Sequence, residues 1–511
     1  MRRFIICLIF AATLSHAKKP EQSKASETLE SKSRVITSMD ILPLELEVII
    51  ADAKKGDPEA QHQLGLAYLR GNRGAKKNEV EAVIWVRRAA DQGNAAAQNT
   101  LGVCYYKGLG VKQDDAEAFK WYMKAANQGE PLAEANLGDS YAFGIGVSRN
   151  LEVAFSWYLK SANHGYAQGQ FCAGMCLKQG TGTSKDVSEA LAWFKKAAGQ
   201  GHSQSQFEIG TMHWEGLILD QDYTAAFSWF IKSANQGHAA SQSVVGVCYE
   251  KGLGVNKDAS LAASWYLKSA EQGNPIAQAW YGKMLLNGIG IQANPKAARE
   301  WIKRSAEQGC TDGEASFSLI LYGEHDYQLA LQYAQRAAAK GDSFGQFAKA
   351  IALLASHDPK ERDEGLRLMA MSAEQGFAFA QVSLGEFHRF GINGKKDPQE
   401  AVKWFRRAAE QGDAEGQFML ASCYYSGEGV IKDEIEAYAL INLSGVTNPK
   451  ARKALKLFEA ELSTEARLVA QQRAKHLQKE IESRRASTEG REESYQKLLK
   501  EDERERAKKG A

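Results

Sequence analysis

Residues 101–129 read LGVCYYKGLGVKQDDAEAFKWYMKAANQG, and the reading of this stretch decides the fold. From Ala95 to Lys107, Leu101, Cys104 and Tyr105 recur at three- and four-residue spacings, which places them on one face of an amphipathic helix. Gly108-Leu109-Gly110-Val111-Lys112-Gln113-Asp114 then forms a turn. A second helix begins at Asp115 or Ala116 and carries Ala118, Trp121, Tyr122 and Ala125 on one stripe. It stops at Gly129, in the place a helix C′ glycine takes. Each helix is about 13 residues long, hence about 20 Å, and cannot cover its own apolar face.

The same stretch returns along the chain. Tryptophans stand at Trp85, Trp121, Trp157, Trp193, Trp229, Trp265 and Trp301, each 36 residues after the last, and a glycine follows each by eight residues. Such register is the mark of a tandem array whose copies cover one another. The pattern resumes at Trp404 with Gly412, after two weaker copies that end at Gly341 and Gly376 and carry Tyr333 and Leu368 in the tryptophan place. The middle of the first helix holds Gly65, Gly102, Gly138, Gly174, Gly210, Gly246, Gly282 and Gly385, with Ser318, Ala350 and Ala421 in the other copies. Glycine inside a helix costs about 1 kcal/mol relative to alanine, so its return here implies a second helix passing too close for a side chain.

Leu101-Gly102 with Tyr105, Gly108-Leu109-Gly110-Val111, Asp114, Ala118, Trp121 and Lys124-Ala125-Ala126-Asn127-Gln128-Gly129 closely resemble the Sel-1-like repeat, a relative of the tetratricopeptide repeat. The resemblance runs from about Gly56 to Thr447. It implies an all-α fold, a right-handed superhelical α-solenoid of about eleven helix-turn-helix repeats of 36 residues. The expected organisation is a signal peptide over 1–17, a flexible linker over 18–40, and a capping helix with seven repeats over 41–309. Degenerate repeats follow over 310–376, two further repeats over 377–447, a C-terminal capping helix over 448–484 and a charged tail over 485–511. Shortening at Gly323 to Tyr327 and the missing Gly-x-Gly turn at Ser356 to Arg362 point to the degenerate copies as a bend or division of the array.

Met1 to Ala17 places Arg2 and Arg3 before an apolar run from Phe4 to Leu14 and closes on Ser15-His16-Ala17, the form of a secretory signal. The run is too short to span about 30 Å of hydrocarbon, and no later segment is long and apolar enough, so export without a membrane span is expected. The 511 residues are 44% hydrophobic and 25% charged, which excludes a mostly disordered chain. A balance of 64 basic to 62 acidic residues gives no whole-chain reason to expect nucleic acid.

Catalytic motifs are not found. The repeated Gly-x-Gly turns lack the preceding strand and third glycine of a dinucleotide loop. Cys104, Cys176, Cys248 and Cys423 share one place in the first helix and read as small buried residues, and Cys172 with Cys176 lies one helical turn apart, where a disulfide is strained. Cysteine-rich members of the family pair cysteines in every repeat, and some have been called penicillin-binding or β-lactam-hydrolysing; this chain lacks that pairing. There is no Ser-x-x-Lys with companion Ser-Asp-Asn and Lys-Thr-Gly, and no His-Glu-x-x-His or Cys/His ligand spacing, so neither a cofactor nor a metal is expected.

One row of the first helix changes type from copy to copy. One residue past the small position stand Val103, Asp139, Met175, Thr211, Val247, Lys283 and Glu386; three further on stand Tyr106, Ala142, Lys178, Trp214, Glu250, Leu286, Tyr322, Arg389 and Tyr425. A row accepting Asp, Lys, Tyr and Trp in turn does not read as sealed core. The resemblance makes it the lining of a concave face, and Tyr106, Trp214, Lys283, Arg389 and Tyr425 are the candidate partner-binding residues, aromatic and basic side chains being the usual anchors. The alternative for Tyr106 and Trp214 is that their rings cover a seam between repeats. The expected function is an exported, non-enzymatic scaffold or adaptor for a protein or peptide. The alternatives are a cell-wall or β-lactam-directed hydrolase, whose nucleophile and base the sequence does not show, and a spacer without a specific ligand.

Overall fold

The start of each second helix is set by a single side chain. Asn78, Asp114, Asn150 and Asp186 each accept a hydrogen bond from the backbone N–H three residues on, at 2.8–3.1 Å, and so cap the helices Glu79–Asp91, Asp115–Ala126, Leu151–Asn163 and Val187–Gly199. Such a cap contributes about 1 kcal/mol. First helices end on a left-handed glycine, as at Gly108 and Gly144, whose N–H returns to a carbonyl four residues back. The computed structural model describes residues 42–217, 220–392 and 394–489, and every regular element among them is a helix. The expected signal peptide, linker and most of the charged tail lie outside the described residues.

Within a repeat, the residue after the tryptophan decides how closely the two helices pack. A methyl placed on Gly102 would lie 2.6 Å from the ring of Tyr122; on Gly138, 2.3 Å from Tyr158; on Gly246, 2.6 Å from Tyr266; on Gly385, 2.6 Å from Phe405. The glycine therefore makes room for a large buried side chain of its own repeat. In a weaker copy Ser318 takes the place and its hydroxyl donates to the Ala330 carbonyl at 2.8 Å. The tryptophan beside this contact is covered from outside by the basic residue three positions on: Lys124, Lys160 and Lys196 sit 3.7–3.8 Å from the ring centres of Trp121, Trp157 and Trp193.

The described chain forms two compact units, residues 42–241 and residues 242–489, with the division inside the helix Ala239–Lys251 rather than in the degenerate copies. In the first unit a helix Leu42–Lys55 precedes the pairs, and repeats are joined by a glutamine ladder. Gln98 donates to the Ala90 carbonyl of the preceding repeat at 3.1 Å and accepts from Gln128 of its own at 2.7 Å; Gln170 does the same with Ala162 at 3.3 Å and Gln200 at 2.9 Å. In one repeat the buried Glu134 and the exposed His164, 2.8 Å apart, replace the pair of glutamines. The second glycine of the turn seals the same seam: a methyl on Gly146 would lie 2.1 Å from the Asp115 carbonyl oxygen.

The second unit repeats these devices, with Gln308 on Gln278 at 2.8 Å and Gln411 on Gln381 at 2.8 Å. Its weaker copies remain helix pairs, Thr311–Gly323 with Tyr327–Ala338 and Ser343–Leu354 with Pro359–Glu374. The short turn of the first is made at His325, which takes a positive φ of 68° where the regular copies use glycine. The expected capping helix over 448–484 is instead two helices, Pro449–Glu461 and Thr464–Glu489. They break where Leu462 turns extended and the Ser463 hydroxyl accepts from Ala466 N–H at 3.2 Å. The second of them runs through 485–489, into the segment read as tail.

Candidate functional site

Residues one and four past the small position share a face of the first helix, because three-residue spacing brings side chains together. In the first unit this row holds the half-exposed Tyr106 and then Asp139, whose carboxylate accepts from the Tyr158 hydroxyl at 2.7 Å. Burial pushes the Asp139 carboxyl up from its ordinary range, and the Tyr158 hydrogen bond acts against that. Lys178 follows, paired with Glu208 of the next first helix at 2.8 Å.

Trp214 departs from the expectation of an exposed anchor. It is 3% exposed, with its ring edge-on to Tyr223 at 4.8 Å and near Phe230 at 6.0 Å. The cause is Tyr223, the first residue of its second helix, where other copies have Glu79, Asp115 or Ala259. A ring there closes over the row, so Trp214 is part of the packed interior.

In the second unit Lys283 reaches the Asp312 carboxylate of the next first helix at 3.2 Å and lies 4.7 Å from the Phe344 ring centre. Arg389 donates to Glu428 at 2.8 Å and to the Ser422 hydroxyl at 3.3 Å, which ties it to the helix Ala414–Ser426 that also carries Tyr425. Tyr425 is 39% exposed, and its ring rests 4.6 Å from Phe458 of the C-terminal helices. Of the five residues singled out from sequence, Tyr106 and Tyr425 present rings to solvent, Lys283 and Arg389 are held in ion pairs, and Trp214 is enclosed.

Two further residues of the first helices, one in this row and one seven residues before it, were not among the five. Glu386 is 5% exposed and makes no hydrogen bond, and burial together with the nearby Glu415 pushes its carboxyl up to about 7 against the pull of Lys450 and Arg389. Phe379, two turns earlier on the same helix, is 52% exposed and stands at the edge of a cluster with Phe377 and Phe347, at 5.7 and 6.5 Å. Glu386 stands in the row read from the sequence and Phe379 does not; what the spacing does not carry is that the first is enclosed and the second bare.

Among the described residues no three His, Cys, Asp or Glu side chains lie together as metal ligands. No disulfide joins the six cysteines among the described residues, and burial pushes Cys104, Cys176 and Cys423 up to about 11, far from the range of an activated nucleophile. No described helix is long and apolar enough to cross a membrane.

Comparison with known proteins agrees with this architecture. The Sel1 repeat model matches residues 58–94, 95–130, 131–166, 167–202, 203–238, 239–274, 275–310, 317–342, 378–413 and 414–445. A crystal structure of a protective antigen present in uropathogenic Escherichia coli strains, displaying an SLR fold, shares 31% identity over 87% of this chain and 97% of that one, with a TM-score of 0.57. Protein sel-1 homolog 2 of Mus musculus is 31% identical over 141 residues, 27% of this chain and 20% of that protein. HRD3A of Arabidopsis thaliana, named a component of an ERAD-associated E3 ubiquitin-protein ligase, is 31% identical over 70 residues, 14% of this chain and 10% of that one. The chain thus spans about a fifth of the length of the sel-1 homologue it matches. With the family model covering well over half of its residues, and with the capped, glycine-seamed helix pairs described above, the chain belongs to the Sel1 repeat family.

Proposed function

We propose that the chain is an exported, non-catalytic scaffold that holds a segment of another protein along the face formed by its first helices. The observation that carries this reading is the contrast between two faces of one helix. The seam varies little, a small residue against a large buried side chain and mostly glutamine against glutamine, while the position four past the small residue changes from Tyr106 to Ala142 to Lys178 in successive repeats. Packing needs uniformity from repeat to repeat; a row that varies, and that keeps partly exposed aromatic rings, serves recognition. The raised thiols of Cys104, Cys176 and Cys423 speak against a cysteine nucleophile. Export rests on Met1 to Ala17, with its two arginines, short apolar run and Ser15-His16-Ala17. The relative named as a ligase component supports a role in assemblies and leaves the partner's identity open.

The test is photocrosslinking in the native host from a benzophenone side chain at 106 or 425, compared with the exposed outer-face positions Lys120 and Lys403. The reading expects one discrete protein adduct from 106 or 425 and none from the outer positions. Adducts equally from both faces, or from neither, would count against it.

A further inference from the structure

The second unit carries an internal control for what its row accepts. Lys283 and Asp312 occupy neighbouring first helices, one residue past and six residues before the small position, and meet at 3.2 Å as an ion pair. The same two positions further along hold Glu386 and Glu415. Two acids therefore face each other where the chain elsewhere sets an ammonium against a carboxylate. Glu415 is provided for: Asn448 donates to one of its oxygens at 2.8 Å and Lys450 to the other at 3.2 Å. Arg389, the nearest cation on Glu386's own helix, is committed to Glu428 and Ser422. Glu386 is left nearly enclosed, with no hydrogen bond from the described residues.

Burial makes the Glu386 carboxylate costly even though its oxygens are not wholly cut off from solvent, and replacement by a neutral side chain of the same shape would remove that cost. Among the described residues none donates a hydrogen bond to the carboxylate, while Lys450 and Arg389 attract it without one. Seven residues earlier on the same helix face, about 10 Å along the axis, the Phe379 ring lies bare beside Phe377. An extended chain covers that distance in three residues.

We propose that Glu386 and Phe379 form a two-point subsite for an extended partner segment, in which a Lys or Arg side chain enters opposite Glu386 and an apolar side chain three residues away lies on Phe379. This deepens the scaffold reading and rests on it, since it assigns the chemistry of the bound segment at one place on the same face. The guest cation takes the role that Lys283 plays toward Asp312, and closes the charge balance that Glu386 leaves open.

The experiment pans a phage-displayed random dodecamer library on the full chain, on Glu386→Gln and on Glu386→Lys at pH 8, where Glu386 is ionised. Sequences recovered on the parent are expected to be enriched at least threefold in a Lys or Arg three positions from an aromatic or aliphatic residue. Glu386→Gln should lose that enrichment while melting no lower than the parent, and Glu386→Lys, which supplies its own cation to Glu415, should also lose it. Recovered peptides without the basic residue, or the same enrichment on Glu386→Gln, would overturn the subsite while leaving the scaffold reading standing. Recovery of no peptides above background would overturn both.

Discussion

Replacing Gly146 by alanine tests the account of how repeats are joined, and Gly144 two residues before it supplies the control. Both have left-handed backbones, with φ of 68° and 76°, so alanine strains each by roughly 1–2 kcal/mol. They differ in space. At Gly144 the nearest atom to an added methyl is the Val147 carbonyl oxygen at 3.6 Å, an ordinary contact. At Gly146 the methyl would lie 2.1 Å from the Asp115 carbonyl oxygen, 2.6 Å from its carbon and 3.0 Å from the Ala116 nitrogen, all backbone of the preceding repeat. Relief requires the turn to back away by more than about 1 Å, and overpacking of that kind adds about 1–3 kcal/mol. The expected totals are about 1–2 kcal/mol for Gly144→Ala and about 2–5 kcal/mol for Gly146→Ala. Because each repeat leans chiefly on its neighbours, the larger loss should be local. Thermal melts by circular dichroism read the total, and amide hydrogen exchange should show faster opening over 95–163 in Gly146→Ala, with distal repeats unchanged. Equal effects of the two substitutions, or a uniform loss along the array, would refute the seam.

Other outcomes follow from single residues. The Glu386 carboxyl titrates near 7 when folded and near 4.5 when unfolded, so between these values the folded chain holds a proton the unfolded chain has lost. Stability contributed there falls as pH rises through that window, by at most about 3 kcal/mol, and Glu386→Gln should flatten this fall in denaturant titrations at pH 4.5 and 8. Gln170→Leu removes a donor to the Ala162 carbonyl and an acceptor for Gln200, and should cost about 1–3 kcal/mol by urea denaturation. Trp121 and Trp404 leave their indole N–H groups buried without a partner, whereas those of Trp85 and Trp193 donate to a glutamate four residues earlier. At Trp121 that glutamate, Glu117, is taken by Lys120 at 3.0 Å, so Lys120→Ala should leave the melting temperature equal or higher despite the lost ion pair. Cys104, Cys248, Cys310 and Cys423 are buried thiols and should react with a disulfide reagent at neutral pH only after unfolding; prompt reaction in the native chain would contradict their placement.

The repeat was legible because its signals are local and recur: a tryptophan, a glycine eight residues on and a small residue in the first helix each answer to a backbone or packing need. Even the close approach at Gly246 was readable, since an uncompensated helix glycine demands a reason. The single C-terminal helix was misread because one extended residue, Leu462, interrupts an otherwise continuous helical pattern. The row on the first helix was found by its variability, but variability does not report burial. Trp214 and Tyr106 stand at equivalent positions, and what separates them is Tyr223, one residue on another helix. Glu386 was visible as an acid in the row; that its neighbours' hydrogen bonds are already spent depends on Glu428 and on Asn448 with Lys450, from two other segments of the chain.

The most direct measurement of the central claim is deuterium uptake of the full chain alone and saturated with the protein captured by crosslinking at 106 or 425. Slower exchange is expected in peptides from the first helices and their turns, over 95–110, or over 378–392 and 414–427, with unchanged exchange in the second helices over 115–126 and 398–410. Protection confined to the second helices, or to 449–489, would place the partner on another surface and contradict the account.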